Sequence, residues 1–128
     1  MERCAEVEDL VLKLYRVSDQ AGLKALHTLI AESEATVAVG TGRHDWWTGR
    51  DAIVGALREH REPGSGLTIE PGEPIAWRDG SIAWFTDRPT LRVHDAAIGA
   101  RCTGVAVLEN DAWRAVQMHL SIGSTTVH

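Results

Sequence analysis

Cysteine is scarce in this sequence, which also lacks long apolar runs and any excess of positive charge. Cys4 and Cys102 are the only two cysteines, and they fit neither a disulfide framework nor a metal-ligand spacing. A membrane-spanning helix would need about 20 consecutive apolar residues, and no run of that length is present. The net charge of −5 disfavours nucleic acid and anionic membranes as partners. Because the N-terminus is charged and unlike a signal peptide, we expect a cytoplasmic protein.

Several catalytic motifs are missing as well. The GTG at 40–42 lacks the lysine and the further glycines of a phosphate-binding loop. No group of histidine, cysteine and aspartate residues has the spacing of a metal site. The GSG at 64–66 lies in a predicted loop and not in the setting of a nucleophilic serine. We therefore expect no metal and no cofactor.

The composition is that of a soluble globular protein with helices first and strands later. The chain has 128 residues, 44% of them hydrophobic and 24% charged, which predicts a single domain spanning 1–128. Apolar residues recur at helical intervals in 5–17, in a segment capped by Ser18 or Asp19, and in a segment beginning near Gly49. A short β-branched run at 34–40 predicts one strand before the third helix.

Two hairpins are predicted in the second half, where the apolar period changes to two. If Asp79-Gly80 forms the first turn, Trp77 lies opposite Ile82 and Ile75 opposite Trp84, all on one face. The second hairpin turns near Asn110-Asp111. Without a bulge, one of its faces carries Arg101, Thr103, Val105, Val107, Arg114, Val116, Met118 and Leu120, and the other carries Cys102, Gly104, Ala106, Trp113, Gln117, His119 and Ser121. We take the first, aliphatic face as the core side; a β-bulge would shift this assignment.

Three segments carry a resemblance to a known family: VAVGTGRHDWWTGRDAI, DGSIAWF and RCTGVAVLENDAWRAVQMHLSIG. In this order they resemble the SnoaL-like branch of the nuclear transport factor two-like superfamily, and the closing strand is similar to that of the calmodulin-dependent kinase association domain. The resemblance implies a cone-like α+β fold of the cystatin-like type, in which three N-terminal helices pack on a strongly curved mixed or antiparallel sheet. It also implies a pocket on the concave face and a homodimer through the convex face. Since members range from isomerases to proteins without catalysis, the site must be argued separately.

Asp45 and Arg101 are the candidate catalytic residues. On the predicted core side, the Arg101 guanidinium needs an anion, either a ligand or a structural partner among Asp45, Asp87 and Glu70. A carboxylate at position 45 shielded by tryptophan would have a raised pKa and could transfer protons near neutral pH. The same carboxylate paired with Arg101 would be a poor base, and one that caps its own loop would be structural. The sequence leaves these alternatives open.

The adjacent tryptophans Trp46 and Trp47 indicate a flat apolar wall. Neighbours on an extended segment point in opposite directions, so one should face the pocket and the other should pack outside. The predicted ligand-binding residues are Trp46, Trp47, Trp84, Thr86, Arg101, Thr103, Tyr15 and His27. The predicted homodimer interface on the convex face contains Trp113, Gln117, His119 and Ser121.

These residues suggest a protein that binds a small organic molecule in a tryptophan-lined pocket with a polar arginine end. If it is an enzyme, cofactor-free isomerisation, dehydration, cyclisation or epoxide opening is expected, with Asp45 as acid/base. The alternative is a non-catalytic homodimerisation or ligand-sensing module.

Overall fold

A computed structural model describes residues 1–16, 20–61 and 66–123. Its helices are α1 (Ala5–Tyr15), α2 (Gln20–Leu29) and α3 (Arg50–Arg61), as the apolar spacing predicts. Each helix turns its apolar stripe inward: Val7 and Val11 of α1, Leu26 of α2 and Ile53 of α3 are all buried. The predicted caps of α2, at Ser18 or Asp19, lie outside the described residues. Within the described residues, no helix is both long and apolar enough to span a membrane.

The strands exceed the predicted number, because four short ones have too few residues to show a clear pattern. In the described part of the chain there are nine strands: β1 (Glu2–Arg3), β2 (Val37–Val39), β3 (Trp46–Thr48), β4 (Leu67–Glu70), β5 (Ile75–Asp79), β6 (Ile82–Asp87), β7 (Thr90–Val93), β8 (Ala96–Glu109) and β9 (Ala112–Ile122). Those absent from the sequence prediction are β1, β3, β4 and β7.

The strands form one open, mixed sheet in the order β1-β5-β6-β8-β9-β2-β3, while β4 joins through β7, which pairs with β8. Among the described residues, the pairing of β2 with β9 is parallel and the other strand pairings are antiparallel. The three helices and this sheet make an α+β fold, as predicted. The main core cluster joins α1, α2 and α3 to the inward side of the sheet, which we call the helix side; we call the other side the outer face.

The first hairpin differs from the prediction by one residue. Asp79 pairs with Ile82, so the two turn residues are Gly80 and Ser81, and Gly80 has a positive φ of 63°. Trp77 consequently lies opposite Trp84 and not opposite Ile82. Since pairing partners share a face in either register, the four large side chains remain together, on the outer face.

The second hairpin contains the bulge that the sequence analysis left open, and the predicted core side of β8 is wrong. The turn at Asn110-Asp111 is confirmed, with positive φ at both residues. From the turn to Ala106–Ala115 the pairing is as predicted; beyond it, Val105 pairs with Gln117, so Val116 is the extra residue. The helix side of β8 carries the buried small residues Cys102, Gly104 and Ala106.

Close packing by Phe85 explains why the small face of β8 is the buried one. A Cβ atom at position 104 would lie 2.2 Å from Phe85 Cζ and 2.4 Å from the Gln117 carbonyl oxygen. The Phe85 ring therefore fills the space that side chains of β8 would otherwise occupy. The valines of β8 alternate with these small residues and lie on the outer face.

Candidate functional site

A cavity of about 340 Å³ lies between the helices and the helix side of the sheet. Most of its lining is apolar: Leu14 from α1, Ile53 and Leu57 from α3, and Phe85 and Met118 from the sheet. The polar contributions come from Tyr15, Thr41, Asp45, Cys102 and His119. Volumes of this order are typical of the lower range of small-molecule sites.

Trp47 and Trp46 lie on opposite sides of the sheet, as strand alternation predicts. Trp47 lines the cavity and packs partly buried against the core. Trp46 is 66% exposed and does not line the cavity. The two residues pair with Ala38 and Val39 of β2, so the same alternation carries through both strands. The paired tryptophans thus give one aromatic wall to the cavity and one aromatic side chain to the outer face.

A buried hydrogen-bond network forms one end of the cavity. The Tyr15 hydroxyl donates to Asp87 Oδ2 over 2.9 Å, and the backbone N–H of Gly72 donates to the same oxygen over 3.2 Å. Cys102 pairs directly with Asp87 on the neighbouring strand and forms a hydrogen bond with Tyr15. Tyr15 and Cys102 line the cavity, whereas Asp87, which is only 6% exposed, does not.

Burial keeps both cavity-facing groups of this network protonated. It raises the pKa of the Cys102 thiol to about 11, with a further contribution from the Asp87 carboxylate. It also raises the pKa of the Tyr15 hydroxyl well above its ordinary value, assisted by Cys102 and Asp87. At neutral pH the cavity end therefore presents a neutral phenol and a neutral thiol, and Cys102 is not an activated nucleophile.

Asp45 lines the cavity and also closes its own loop. Its Oδ2 accepts a hydrogen bond from the Gly42 N–H over 2.8 Å, and its carbonyl oxygen accepts one from the Gly40 N–H over 2.9 Å. A Cβ atom on either glycine would come within 2.8 Å of the Asp45 side chain. The two glycines are thus needed to let this carboxylate fold back over the loop. The loop-capping alternative agrees with this geometry.

Arg101 lies on the outer face and not on the cavity side. It is exposed and pairs with Ser121, because β8 turns Cys102 inward in its place. The three carboxylates considered as its partners are engaged elsewhere: Asp45 with its loop, Asp87 with Tyr15, and Glu70 in an ion pair with Arg92. The predicted polar arginine end of the pocket is therefore wrong.

The other predicted ligand-binding residues on β6 and β8 are also displaced to the outer face. Trp84 pairs with Trp77 and Val105, and Thr86 pairs with Thr103; none of these lines the cavity. His27 is separated from the cavity as well, since its Nε2 lies 3.8 Å from Asp51 Oδ1 on α3. Of the predicted ligand-binding set, the structure places Trp47 and Tyr15 at the cavity.

The predicted interface residues of β9 divide at the bulge. Gln117, His119 and Ser121 pair with outward residues of β8, although His119 also borders the cavity. Trp113 lies on the helix side in line with buried Ala115, and the Arg78 guanidinium stacks 5.0 Å from its ring centroid. The extra residue at Val116 separates the two groups.

Cys102 and Asp87 are site residues that sequence reasoning did not assign to the cavity end. A usable signal was present for Asp87, because it continues the period-two series of Ala83 and Phe85, both buried. Phe85 pairs with Gly104 on β8, so Gly104 shares its inward face, and the same alternation along β8 places Cys102 inward as well. The face of β8 with the larger apolar side chains was instead predicted to be the buried one.

Comparisons with known proteins agree on one family and one fold. A family model described as SnoaL-like domain matches residues 7–125. A cystatin-like protein of unknown function from Nostoc punctiforme is similar in structure, with a TM-score of 0.75, 12% identity, and coverage of 98% of this chain and 97% of that one. No curated protein matches the chain.

Two further solved structures have a similar fold, and the second corresponds to the association domain suggested by the sequence. A proposed ketosteroid isomerase from Parabacteroides distasonis has a TM-score of 0.73 at 17% identity, covering 93% of this chain and 86% of that one. A proposed calcium/calmodulin-dependent protein kinase type II association domain from Thiobacillus denitrificans has a TM-score of 0.71 at 19% identity, covering 91% and 94%. At these identities the structural similarities establish the fold alone.

Proposed function

This chain belongs to the SnoaL-like domain family, and we propose that it binds a small, largely apolar organic molecule in the cavity beside Trp47. The observation that carries the proposal is the cavity itself, about 340 Å³ in volume and lined mainly by aliphatic and aromatic side chains. An apolar cavity of this kind binds apolar molecules because their transfer from water is favourable. The fold alone would not support this step, since one fold can carry many unrelated functions.

For a catalytic version of this function, Asp45 is the acid/base and Tyr15 completes the polar environment. The Asp45 carboxylate borders the cavity and has one oxygen held by the Gly42 N–H, which fixes its orientation. Such a group could move a proton between two positions of a bound molecule in a cofactor-free isomerisation, dehydration, cyclisation or epoxide opening. Replacing Asp45 with asparagine should abolish any such turnover and leave the fold intact. Unchanged turnover would exclude Asp45 from the chemistry.

A matched pair of substitutions on α3 tests binding without knowledge of the natural ligand. Ala56 lines the cavity, whereas Ala52 lies on the exposed side of the same helix. Naphthalene, a neutral ring compound, is titrated into the wild-type protein, Ala56→Leu and Ala52→Leu, and binding is measured by calorimetry. We expect saturable binding that falls at least tenfold in Ala56→Leu and is unchanged in Ala52→Leu. Equal affinities in both variants would place the bound molecule outside the cavity.

A second candidate function, homodimerisation through the outer face, is favoured by the exposed apolar side chains there. Trp77 is 40% exposed and Ile82 50% exposed, and both lie on the face that also carries Trp84 and Val105. A cluster of large apolar residues on one side of a sheet is typical of a protein–protein contact. We propose that two copies pack through this face, with Gln117 near its middle. Trp113, which lies on the helix side, is excluded from the contact.

Association is tested by adding charge within the apolar cluster of the outer face and at a position outside that cluster. Val105→Lys puts a cation among the outer-face residues, while Thr68→Lys adds the same charge on β4, where position 68 is exposed. Sedimentation equilibrium should show a dimer for the wild type and Thr68→Lys, and a monomer for Val105→Lys. Urea unfolding of each variant verifies that the monomer is folded. A wild-type monomer at tens of micromolar would remove this candidate.

A further inference from the structure

The fixed charge of the cavity wall is negative. Among the described lining residues, Asp45 is the one acidic side chain, and no lysine or arginine is present. His119 also borders the cavity but belongs to the outward set of β9 and is exposed. A bound anion would therefore meet a carboxylate without an arginine or lysine to compensate its charge.

The Tyr15–Asp87 pair adds to the negative charge around the cavity, although Asp87 itself does not line it. Since the Tyr15 hydroxyl gives its proton to Asp87 Oδ2, that proton is not available for a ligand. The other carboxylate oxygen, Asp87 Oδ1, is buried and has no hydrogen-bond partner among the described residues. A carboxylate this poorly compensated projects negative potential into the adjacent cavity, and its contribution to the raised pKa of Cys102 has the same origin.

We propose that the cavity selects its ligand by charge and by hydrogen-bond donors: it takes an apolar molecule carrying a hydroxyl or an amino group and rejects carboxylates, phosphates and other anions. The donor on the ligand reaches the Asp45 carboxylate, while its rings lie against Trp47 and Phe85. This inference rests on the proposed function, because it assigns a ligand class to the same cavity. It replaces the anion-binding role predicted for Arg101, which lies on the outer face.

Three naphthalene derivatives of nearly equal size test the selection. At pH 8, 1-naphthalenemethanol is neutral, 1-naphthylmethylamine is a cation and 1-naphthoate is an anion. Binding of each is measured by calorimetry beside the parent naphthalene. We expect the alcohol and the amine to bind at least about tenfold more tightly than naphthoate, because a charge near Asp45 in a partly apolar site is poorly screened. Naphthoate binding as tightly as the alcohol would overturn the inference.

Asparagine substitutions identify the source of the selection. Asp45→Asn keeps the size of the side chain and an oxygen for the Gly42 N–H while removing the charge at the cavity. Asp79→Asn removes the same charge from the exposed end of β5. The ratio of naphthoate to alcohol affinity should rise at least fivefold in Asp45→Asn and stay constant in Asp79→Asn. Equal ratios in the two variants would contradict the role given to Asp45.

The parent naphthalene separates failure of the selection from failure of the cavity. If naphthalene and all three derivatives fail to bind, the proposed function falls and the ligand class falls with it. If naphthalene binds in the Ala56-dependent manner but naphthoate equals the alcohol, the cavity is a binding site and only the charge selection is wrong. If the alcohol and amine are preferred and Asp45→Asn removes the preference, both stand.

Discussion

Replacing Gly104 with alanine should destabilise the protein by about 3 kcal/mol, the upper end of the cost of overpacking a core. The new methyl group would stand 2.2 Å from Phe85 Cζ and 2.4 Å from the Gln117 carbonyl oxygen, where an ordinary contact is 3.4–4 Å. Phe85 is 2% exposed and has little room to withdraw. The Gln117 oxygen belongs to the backbone of the paired strand, so it can yield only by disturbing the β8–β9 ladder.

Gly99 supplies a matched control on the same strand. A Cβ atom at position 99 meets nothing within 4 Å, and the residue is exposed. Gly99→Ala should therefore be neutral or stabilise by up to about 1 kcal/mol, because alanine reduces the entropy of the unfolded chain. Urea unfolding followed by circular dichroism measures both variants. For a domain of this size, a loss of 3 kcal/mol corresponds to a fall in melting temperature of roughly 10 °C or more.

The double variant Gly104→Ala, Phe85→Leu identifies the cause of the loss. The smaller leucine makes room for the methyl group, so the double variant should be more stable than the sum of the two single effects predicts. Strict additivity would mean that Phe85 is not what excludes a side chain at position 104. A Gly104→Ala variant as stable as Gly99→Ala would refute the packing argument altogether, and with it the explanation of why the small face of β8 is buried.

Three other predictions concern the cavity end and the aromatic wall. The pKa of Cys102 is raised from 9.0 to about 11 in the folded state, so its stabilising contribution is complete below pH 9 and is lost as pH rises through 11. Between pH 8 and 11, the free energy of unfolding measured in urea should therefore fall by about 2 kcal/mol less in Cys102→Ala than in the wild type. Equal falls in the two proteins would show that Cys102 does not cause this pH dependence. Tyr15→Phe removes the hydroxyl that is hydrogen-bonded to Asp87 and should lower the free energy of unfolding by about 2 kcal/mol at pH 7. The effect should be smaller when Asp87 is already replaced by asparagine, and an equal effect in both backgrounds would show that this hydrogen bond does not stabilise the protein. Trp47→Ala should cost about 3 kcal/mol and Trp46→Ala less than about 1 kcal/mol in thermal unfolding, because only Trp47 packs against the core; similar costs would contradict their placement.

The helices were predictable because each has an unbroken apolar stripe long enough to show its period. Val7, Leu10, Val11 and Leu14 repeat at intervals that only a helix aligns, and the same holds for α3. The turn at Asn110-Asp111 was equally clear, since these residue types tolerate positive φ. Strands of two to four residues, such as β1 and β4, contain too few alternations to be distinguished from loops.

The faces of β8 could not be predicted from side-chain size, and this error moved most of the candidate site. Sequence reasoning assumes that the larger apolar face is buried, but Phe85 fills the core from the neighbouring strand and leaves β8 room only for Cys102, Gly104 and Ala106. The bulge at Val116 also shifts the pairing of β8 with β9 by one residue, and no local sequence pattern predicts its position. The predictions that place Asp45, Trp47 and Tyr15 at the cavity were not affected by this error, because these residues lie on segments other than β8 and β9.

The parallel pairing of β2 with β9 has a consequence for the order in which the protein is completed during synthesis. Val37–Val39 leave the ribosome some eighty residues before their partners, Gln117 to His119. Until β9 emerges, β2 and β3 form an isolated two-stranded ribbon, which is marginally stable by itself. The wall of the cavity that Trp47 forms therefore gains its support from the sheet only after β9 has been made.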